Sequence, residues 1–227
     1  MKSILIQYYL RIRKQTLLVK AAVLTWLRNV RREIYTQRYR DKATGKVNLC
    51  CGWQKIPGYI GIDSIRAVDI RLDLALNDLP FKENTHDAVV CMSAINYFTR
   101  ARALEIIAEV KRILKPGGVA RFGVQDLAWL AERYVKKDRE FFFQKLPDGR
   151  ERFEGTTLGD KFASWFYGYA TEGSVCKYFY DYESLAYLFH MAGFAIVERK
   201  TYRESRLENI DMIDNRPDQM FYLEAVK

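Results

Sequence analysis

The chain has 227 residues, of which 49% are hydrophobic and 29% charged, and it carries a formal net charge of +9. This length and composition fit one α/β domain with an appendage, large enough to bury a core. Its four cysteines, with no C-x-x-C pair and no partner histidines, exclude a disulfide framework and a zinc site. We therefore predict no metal and a reducing, cytoplasmic location.

The charge is concentrated at the N-terminus. Residues 1–46 contain twelve Lys and Arg against two acids, whereas the remaining 25 basic and 26 acidic residues nearly cancel. The first 44 residues contain no Gly or Pro, and apolar residues recur there at helical spacing: Leu5, Tyr8, Ile12, Val19, Val23, Trp26, Val30 and Ile34. This pattern predicts that residues 1–44 form a basic amphipathic helical appendage.

The N-terminal appendage is too interrupted to cross a bilayer, because Lys20, Arg28 and Arg31 break its apolar runs. Three roles stay open for it. It packs on the domain and covers the cofactor site; it docks on an anionic membrane surface, at the inner face of the membrane, or on a partner; or it self-associates through a near-heptad run. Nucleic acid is an unlikely partner, because the charge forms one helix and not a groove with stacking aromatics.

The remaining elements alternate as in an α/β fold. Four strands are predicted first: Val47–Cys51, Tyr59–Asp63, Val68–Leu74 and Asp87–Met92. The linkers between the first three are too short for helices, so we expect the N-terminal helix to fill that face of the sheet. Later elements are the helix Ala101–Leu114, the strand Val119–Val124, the helices Leu127–Lys136 and Tyr182–Met191, and the strands Phe194–Tyr202 and Met220–Val226. An aromatic-rich insert lies at about 137–175.

A nucleoside site is indicated by the end of the first two strands. Leu49-Cys50-Cys51-Gly52 forms a small-residue turn, and Asp63 closes the second strand. At the carboxyl edge of a sheet, such a turn presents backbone N–H groups, and the carboxylate can accept hydrogen bonds from ribose hydroxyls. No G-x-G-x-x-G fingerprint follows, which argues against a dinucleotide.

Further motifs indicate which nucleoside cofactor the site would bind. Asp73-Leu74 precedes Leu79-Pro80-Phe81, and Arg112-Ile113-Leu114-Lys115-Pro116-Gly117-Gly118 follows the fourth strand. In this order, from about Val47 to the C-terminus, they resemble the class I S-adenosylmethionine-dependent methyltransferases, and more narrowly a small bacterial group associated with surface-polysaccharide and lipopolysaccharide synthesis. The resemblance implies a Rossmann-like, mostly parallel seven-stranded sheet over residues 45–227, ending in an antiparallel hairpin.

The resemblance also implies roles for individual residues. Leu49, Cys50 and Gly52 would lie along the methionine and ribose of S-adenosylmethionine, Asp63 with its neighbour Ser64 at the ribose hydroxyls, Asp73 and Leu74 at the adenine, and Ser93 near the methionine end. Cys50 replaces a glycine of the family pattern, and Ile95-Asn96-Tyr97 replaces Leu-Glu-His. Asp126 is then the candidate catalytic base or acceptor-orienting residue, although a helix N-cap explains it equally well. Neither His86 nor His190 suits catalysis.

Three functions remain in competition. The first is methylation of a sugar hydroxyl in surface-polysaccharide or lipopolysaccharide assembly, since the aromatic insert could stack on a glycan. The second is a catalytically weak or inactive methyltransferase-fold protein with a binding or regulatory role, motivated by Cys50, Asn96 and Tyr97. The third is an RNA methyltransferase, suggested only by the basic N-terminus.

Overall fold

One sheet organises the part of the chain that the computed structural model describes, residues 2–39, 45–167 and 175–227. Its seven strands are β1 (Lys46–Leu49), β2 (Ile60–Asp63), β3 (Ile70–Arg71), β4 (His86–Met92), β5 (Leu114–Gln125), β6 (Ile196–Lys200) and β7 (Met220–Val226). Their order is β3-β2-β1-β4-β5-β7-β6. The first five pair with one another in parallel, and β7 is antiparallel to both β5 and β6. The predicted fold class is confirmed.

Helices form the N-terminal segment and several of the connections between strands. They are α1 (Lys2–Arg38), α2 (Arg100–Ile113), α3 (Leu127–Val135), α4 (Arg139–Phe142), α5 (Leu158–Phe166), α6 (Tyr182–Met191) and α7 (Ile210–Ile213). Side-chain caps explain where several of them begin: the Thr99 hydroxyl accepts from the backbone N–H of Arg102, and the Asp181 carboxylate accepts from that of Ser184. The predicted bounds of α6 and β7 agree with the structure.

Three predicted strands differ clearly in length from the observed ones. The third strand is only Ile70–Arg71, since a turn begins at Leu74. The predicted strand Phe194–Tyr202 is shortened to Ile196–Lys200. The predicted strand Val119–Val124 is longer, because it begins at Leu114 and includes the Lys115–Gly118 segment. Leu114 pairs with His86 and Val119 with Ala88, so the sheet absorbs the Pro-Gly-Gly segment as an irregularity between two regular pairs.

The two faces of the sheet are covered differently. On one face, alternate residues of β4 such as Val89 and Cys91 join a large core with α2 and α6. On the other, Val90 and Met92 pack in a smaller core with Ile56, Tyr59, Ile213, Met220 and Tyr222, bordered by Tyr202, Leu207 and Ile210. Loop and C-terminal residues therefore cover the face that we expected the N-terminal helix to fill.

A buried ion cluster fixes the C-terminal segment to that second face. The Arg121 guanidinium on β5 bonds both oxygens of Asp214, at 2.7 and 2.6 Å, and Glu224 on β7 at 2.9 Å. All three side chains are fully buried. Arg121 also donates to the carbonyl of Glu204 at 2.9 Å. The long connection between β6 and β7 is thus tied to the sheet by charge as well as by apolar packing.

The N-terminal helix α1 contacts the domain at its C-terminal end. Tyr35 and the adjoining Tyr39 pack against the large core, so the described part of α1 that touches it lies on the face opposite to the one predicted. From Arg11 to Ile34, the described side chains are exposed. Among the described residues, no helix is both long and apolar enough to span a bilayer. The predicted boundary at 44/45 lies beside residues 40–44, outside the described ranges, and stays a prediction.

Candidate cofactor and acceptor site

The turn after β1 has the backbone conformation expected at a close ligand approach. Cys50 and Gly52 have φ values of 51° and 53°, in the left-handed region that favours glycine. An ideal Cβ added to Gly52 would meet no atom within 4 Å. Space is therefore open beside this turn. Cys50 adopts the left-handed backbone conformation at some steric cost, whereas the glycine of the family pattern would adopt it freely.

Asp63 joins this turn to the end of β2. Its Oδ2 accepts from the backbone N–H of Gly52 at 2.9 Å, and its Oδ1 accepts from the N–H groups of Ser64 at 2.6 Å and Ile65 at 3.3 Å. A carboxylate offers about four acceptor positions. Oδ2 therefore keeps capacity for a further donor, such as a ribose hydroxyl, which fits the role predicted for Asp63 and its neighbour Ser64.

The thiol of Cys50 lies among the groups that the sequence predicted to converge. Burial, followed by the nearby Cys91, Asp63, Cys51 and Asp73, raises the pKa of the Cys50 thiol well above its ordinary value. The structure thus brings the β1 turn, the end of β2 and Asp73, beyond the end of β3, to one crevice. A thiol with a raised pKa stays protonated near neutral pH, so Cys50 is a poor nucleophile. All four cysteines are free thiols.

The remaining predicted cofactor residues differ in whether their side chains or only their backbone atoms could reach a ligand. Asp73 organises a turn, accepting from the N–H of Ala75 through Oδ1 at 2.8 Å. The Leu74 side chain is buried in the core, as is that of Leu49, so backbone contacts are what these two can offer a ligand. Ser93 follows β4 with a φ of 56°, and its hydroxyl lies 3.4 Å from the Met220 sulfur.

A second group of residues lies beyond the end of β4. The carbonyl of Asn96 accepts from the backbone N–H groups of Lys177 and Tyr178, at 2.8 and 3.2 Å, and its amide nitrogen contacts the Cys176 sulfur at 2.8 Å. The amide oxygen of this buried Asn96 has no hydrogen-bond partner among the described residues. The chain after the insert therefore crosses the turn that follows β4. No local sequence pattern predicted this contact between Asn96 and residues 176–178.

Asp126 follows β5 and caps α3. Its Oδ1 accepts from the N–H of Ala128 at 3.0 Å, and its Oδ2 lies 3.4 Å from an Arg199 nitrogen. Asp126 also forms a backbone bridge with Tyr180, whose hydroxyl is buried without a described partner. Burial raises the pKa of the Tyr180 hydroxyl. The helix-cap role is thus observed, and the partly exposed Arg199 guanidinium pairs with the other carboxylate oxygen.

The aromatic insert is chiefly a small core of its own. Leu130, Phe142, Phe153 and Trp165 are buried together, and further rings pack around them: Trp129, Phe141, Phe143, Phe162, Phe166 and Phe179. These phenyl rings contact one another and are not spread over a surface. The exposed Tyr97 and Tyr178 lie outside this core, on either side of the Asn96 crossing.

A cavity of about 230 Å³ opens next to the β1 turn. Its lining includes Gly52, Trp53, Tyr59, Gly61 and Asp69. Gly52 alone of the predicted cofactor residues lines it, so the cavity adjoins the crevice from the β2 side. The exposed Trp53 stands at its rim, with 77% of its surface accessible.

Comparison with known proteins finds a family-model match in the central part of the chain. Residues 61–122 match the model of a family described as a methyltransferase domain. This segment contains the Asp63 end of β2, β4 and most of β5. No curated protein matches the sequence.

Solved structures that resemble this chain have low sequence identity to it. One is an S-adenosylmethionine-dependent methyltransferase from Thermotoga maritima, 17% identical, with 90% of this chain and 97% of that chain covered and a TM-score of 0.44. Another, from Mesorhizobium loti, is 16% identical, with coverage of 82% and 93% and a TM-score of 0.47. The methyltransferase-domain match implies S-adenosylmethionine as the cofactor.

Proposed function

We propose that this protein is an S-adenosylmethionine-dependent methyltransferase that methylates a hydroxyl group of a sugar in a glycan, in surface-polysaccharide or lipopolysaccharide assembly. The observation that carries the methyltransferase part is the Gly52–Asp63 hydrogen bond. It fixes a carboxylate with remaining acceptor capacity against an open, left-handed turn within the segment bordering the methyltransferase-domain match.

The residues of the crevice fit this cofactor. Asp63 would hold the ribose hydroxyls, the backbone of Cys50 and Gly52 would lie along the methionine and ribose, Asp73 and Leu74 would adjoin the adenine, and Ser93 would lie at the methionine end. When bound, S-adenosylmethionine supplies an activated methyl group, so orientation of the acceptor can provide most of the rate. Asp126 would orient the acceptor hydroxyl and receive its proton.

The acceptor class is supported by the groups beyond β4. Asn96, Tyr97 and Tyr178 are neutral, and the phenol groups of the exposed Tyr97 and Tyr178 can contact a hydroxylated acceptor. Neutral amide and phenol groups suit a polyhydroxylated acceptor better than a phosphate backbone. The basic charge that suggested RNA lies largely in the N-terminal segment, whose described side chains from Arg11 to Ile34 are exposed and do not line the crevice.

The test begins with calorimetric titration of the full-length protein with S-adenosylmethionine. Binding followed by transfer of labelled methyl to a glycan extract, with the label recovered in an O-methyl sugar, supports the proposal. Binding without transfer to glycan, lipid-linked sugar or RNA would favour the binding or regulatory alternative. Failure to bind the cofactor would remove the methyltransferase proposal entirely.

A further inference from the structure

The most exposed apolar surface of the described chain lies on α1. Nine large apolar residues there have between 38 and 63% of their surface accessible: Ile12, Leu17, Leu18, Val19, Val23, Trp26, Leu27, Val30 and Ile34. A 37-residue helix is about 55 Å long. Since the described core contacts of α1 are at Tyr35, with Tyr39 just after it, most of this length extends beyond the packed domain.

Five of these residues form one stripe. Ile12, Val19, Val23, Trp26 and Val30 are spaced by seven, four, three and four residues, which places them on one side of a helix at about 100° per residue. Leu27 and Ile34 widen the stripe at one edge. We call these seven residues the α1 stripe. Single exposed apolar residues need no explanation, whereas a contiguous stripe of this length indicates a partner surface.

The charges around the α1 stripe favour an anionic surface over a second copy of this chain as its partner. Arg13 and Lys20 lie along the same edge as Leu27, and the segment 1–46 has a net charge of +10. The acid of α1, Glu33, lies near the domain end and accepts a hydrogen bond from Gln37. A second copy packed on the stripe would therefore bring like charges together, whereas an anionic surface would neutralise them.

From the exposed stripe and its basic edge, we propose that α1 binds the protein to an anionic lipid surface, with the α1 stripe buried at the boundary between headgroups and acyl chains. Burial of the apolar stripe and attraction of Arg and Lys to acidic headgroups act together in such helices. Trp26, at the centre of the stripe, is a side chain suited to that boundary. The domain would then be held close to membrane-attached molecules.

The experiment uses the full-length protein and sedimentation with vesicles of phosphatidylcholine, with and without phosphatidylglycerol. We expect association with the mixed vesicles and little with pure phosphatidylcholine. Raising the salt from about 0.1 M to about 1 M should release the protein, because the screening length falls from about 10 Å to about 3 Å.

Two double variants, together with a control of equal charge change, separate the contributions of charge and apolar burial. Arg13→Glu/Lys20→Glu should weaken association with the mixed vesicles at least tenfold, given roughly fivefold per basic residue removed from the surface. Lys82→Glu/Lys145→Glu makes the same charge change at exposed sites of the domain and should have no such effect. Val23→Ser/Trp26→Ser should also weaken association at least tenfold with the charge unchanged.

Helix content and S-adenosylmethionine affinity, measured on every variant, keep this proposal separate from the proposed function. Loss of vesicle binding with both preserved supports the proposal, even in a protein that proves to have no methyltransferase activity. Equal association with both kinds of vesicle would overturn the proposal. A wild-type protein that does not associate with the mixed vesicles would overturn it as well. So would a dimer, found by sedimentation equilibrium, that only Val23→Ser/Trp26→Ser dissociates, because the stripe would then belong to a second copy.

Discussion

Asp63 and Gly52, eleven residues apart, are joined by a 2.9 Å hydrogen bond from the Gly52 N–H to Asp63 Oδ2. This bond links the end of β2 to the turn after β1, two neighbouring parallel strands. The carboxylate therefore stabilises the turn, and it can still accept a further hydrogen bond from a ligand.

Asp63→Asn should lower the affinity for S-adenosylmethionine at least tenfold in calorimetric titration. The amide keeps one oxygen acceptor but loses the charge that strengthens each bond from a ribose hydroxyl, worth roughly 1.5–3 kcal/mol. Asp160→Asn, which alters another carboxylate that accepts backbone N–H bonds, is the matched control and should bind normally. An affinity within twofold of the wild type would remove Asp63 from the cofactor site.

Cys50→Gly should leave S-adenosylmethionine affinity unchanged or tighter. Glycine adopts the left-handed φ of 51° without the steric cost that a Cβ imposes, and it removes bulk from the crevice. Lys137→Gly relieves a similar φ of 54° at an exposed site and controls for the backbone effect on stability. Clear weakening with the fold intact would show instead that the cysteine makes a ligand contact of its own.

Asp126→Asn should reduce kcat by 10²–10⁴ while leaving S-adenosylmethionine affinity unchanged, because the amide can cap α3 but cannot take up a proton. Asp138→Asn changes the N-cap of α4 in the same way and serves as the control. A normal kcat in Asp126→Asn would assign the residue to helix capping alone. This measurement requires the acceptor identified by the methyl-transfer assay.

Arg121→Met should destabilise the fold by about 3–5 kcal/mol in denaturant unfolding, because it leaves Asp214 and Glu224 buried without their cation. Arg150→Met removes an exposed partner of Asp148 and should leave stability unchanged within error. Equal stability of the two variants would contradict the structural role given to the buried cluster.

Unfolding free energy should fall on acidification because of His86. Burial lowers the pKa of this histidine to about 4, against an ordinary value of 6.5. The unfolded chain therefore takes up a proton that the folded one resists. The stability from neutral His86, on the order of 3 kcal/mol, is present above pH 6.5 and is lost as pH falls towards 4.

His86→Leu should flatten this part of the pH profile, whereas His190→Leu, at an exposed position, should leave its slope as in the wild type. Denaturant titrations between pH 4 and 7 measure both. The same slope in His86→Leu and the wild type would show that other groups cause the acid sensitivity.

The sequence alone determined what depends on local pattern and local chemistry. Apolar runs predicted the strands, helical spacing predicted α6, and the order of Asp63, Asp73 and the Lys-Pro-Gly-Gly segment carried the resemblance to methyltransferases. These signals are readable because each lies within a few residues of the backbone it shapes. The cofactor residues themselves stay predictions awaiting the binding measurements above.

Only the tertiary structure decided how distant segments meet. Arg121 gave no sign in the sequence that it would be buried with Asp214, 93 residues away. Likewise, Asn96 meets residues 176–178 only because the chain returns across the post-β4 turn. The same limit applies to α1, since its apolar period is compatible with burial or exposure. Which of the two occurs depends on the faces that other elements already cover, and here Ile56, Tyr59 and residues from Tyr202 to Ile213 cover the face opposite α2 and α6.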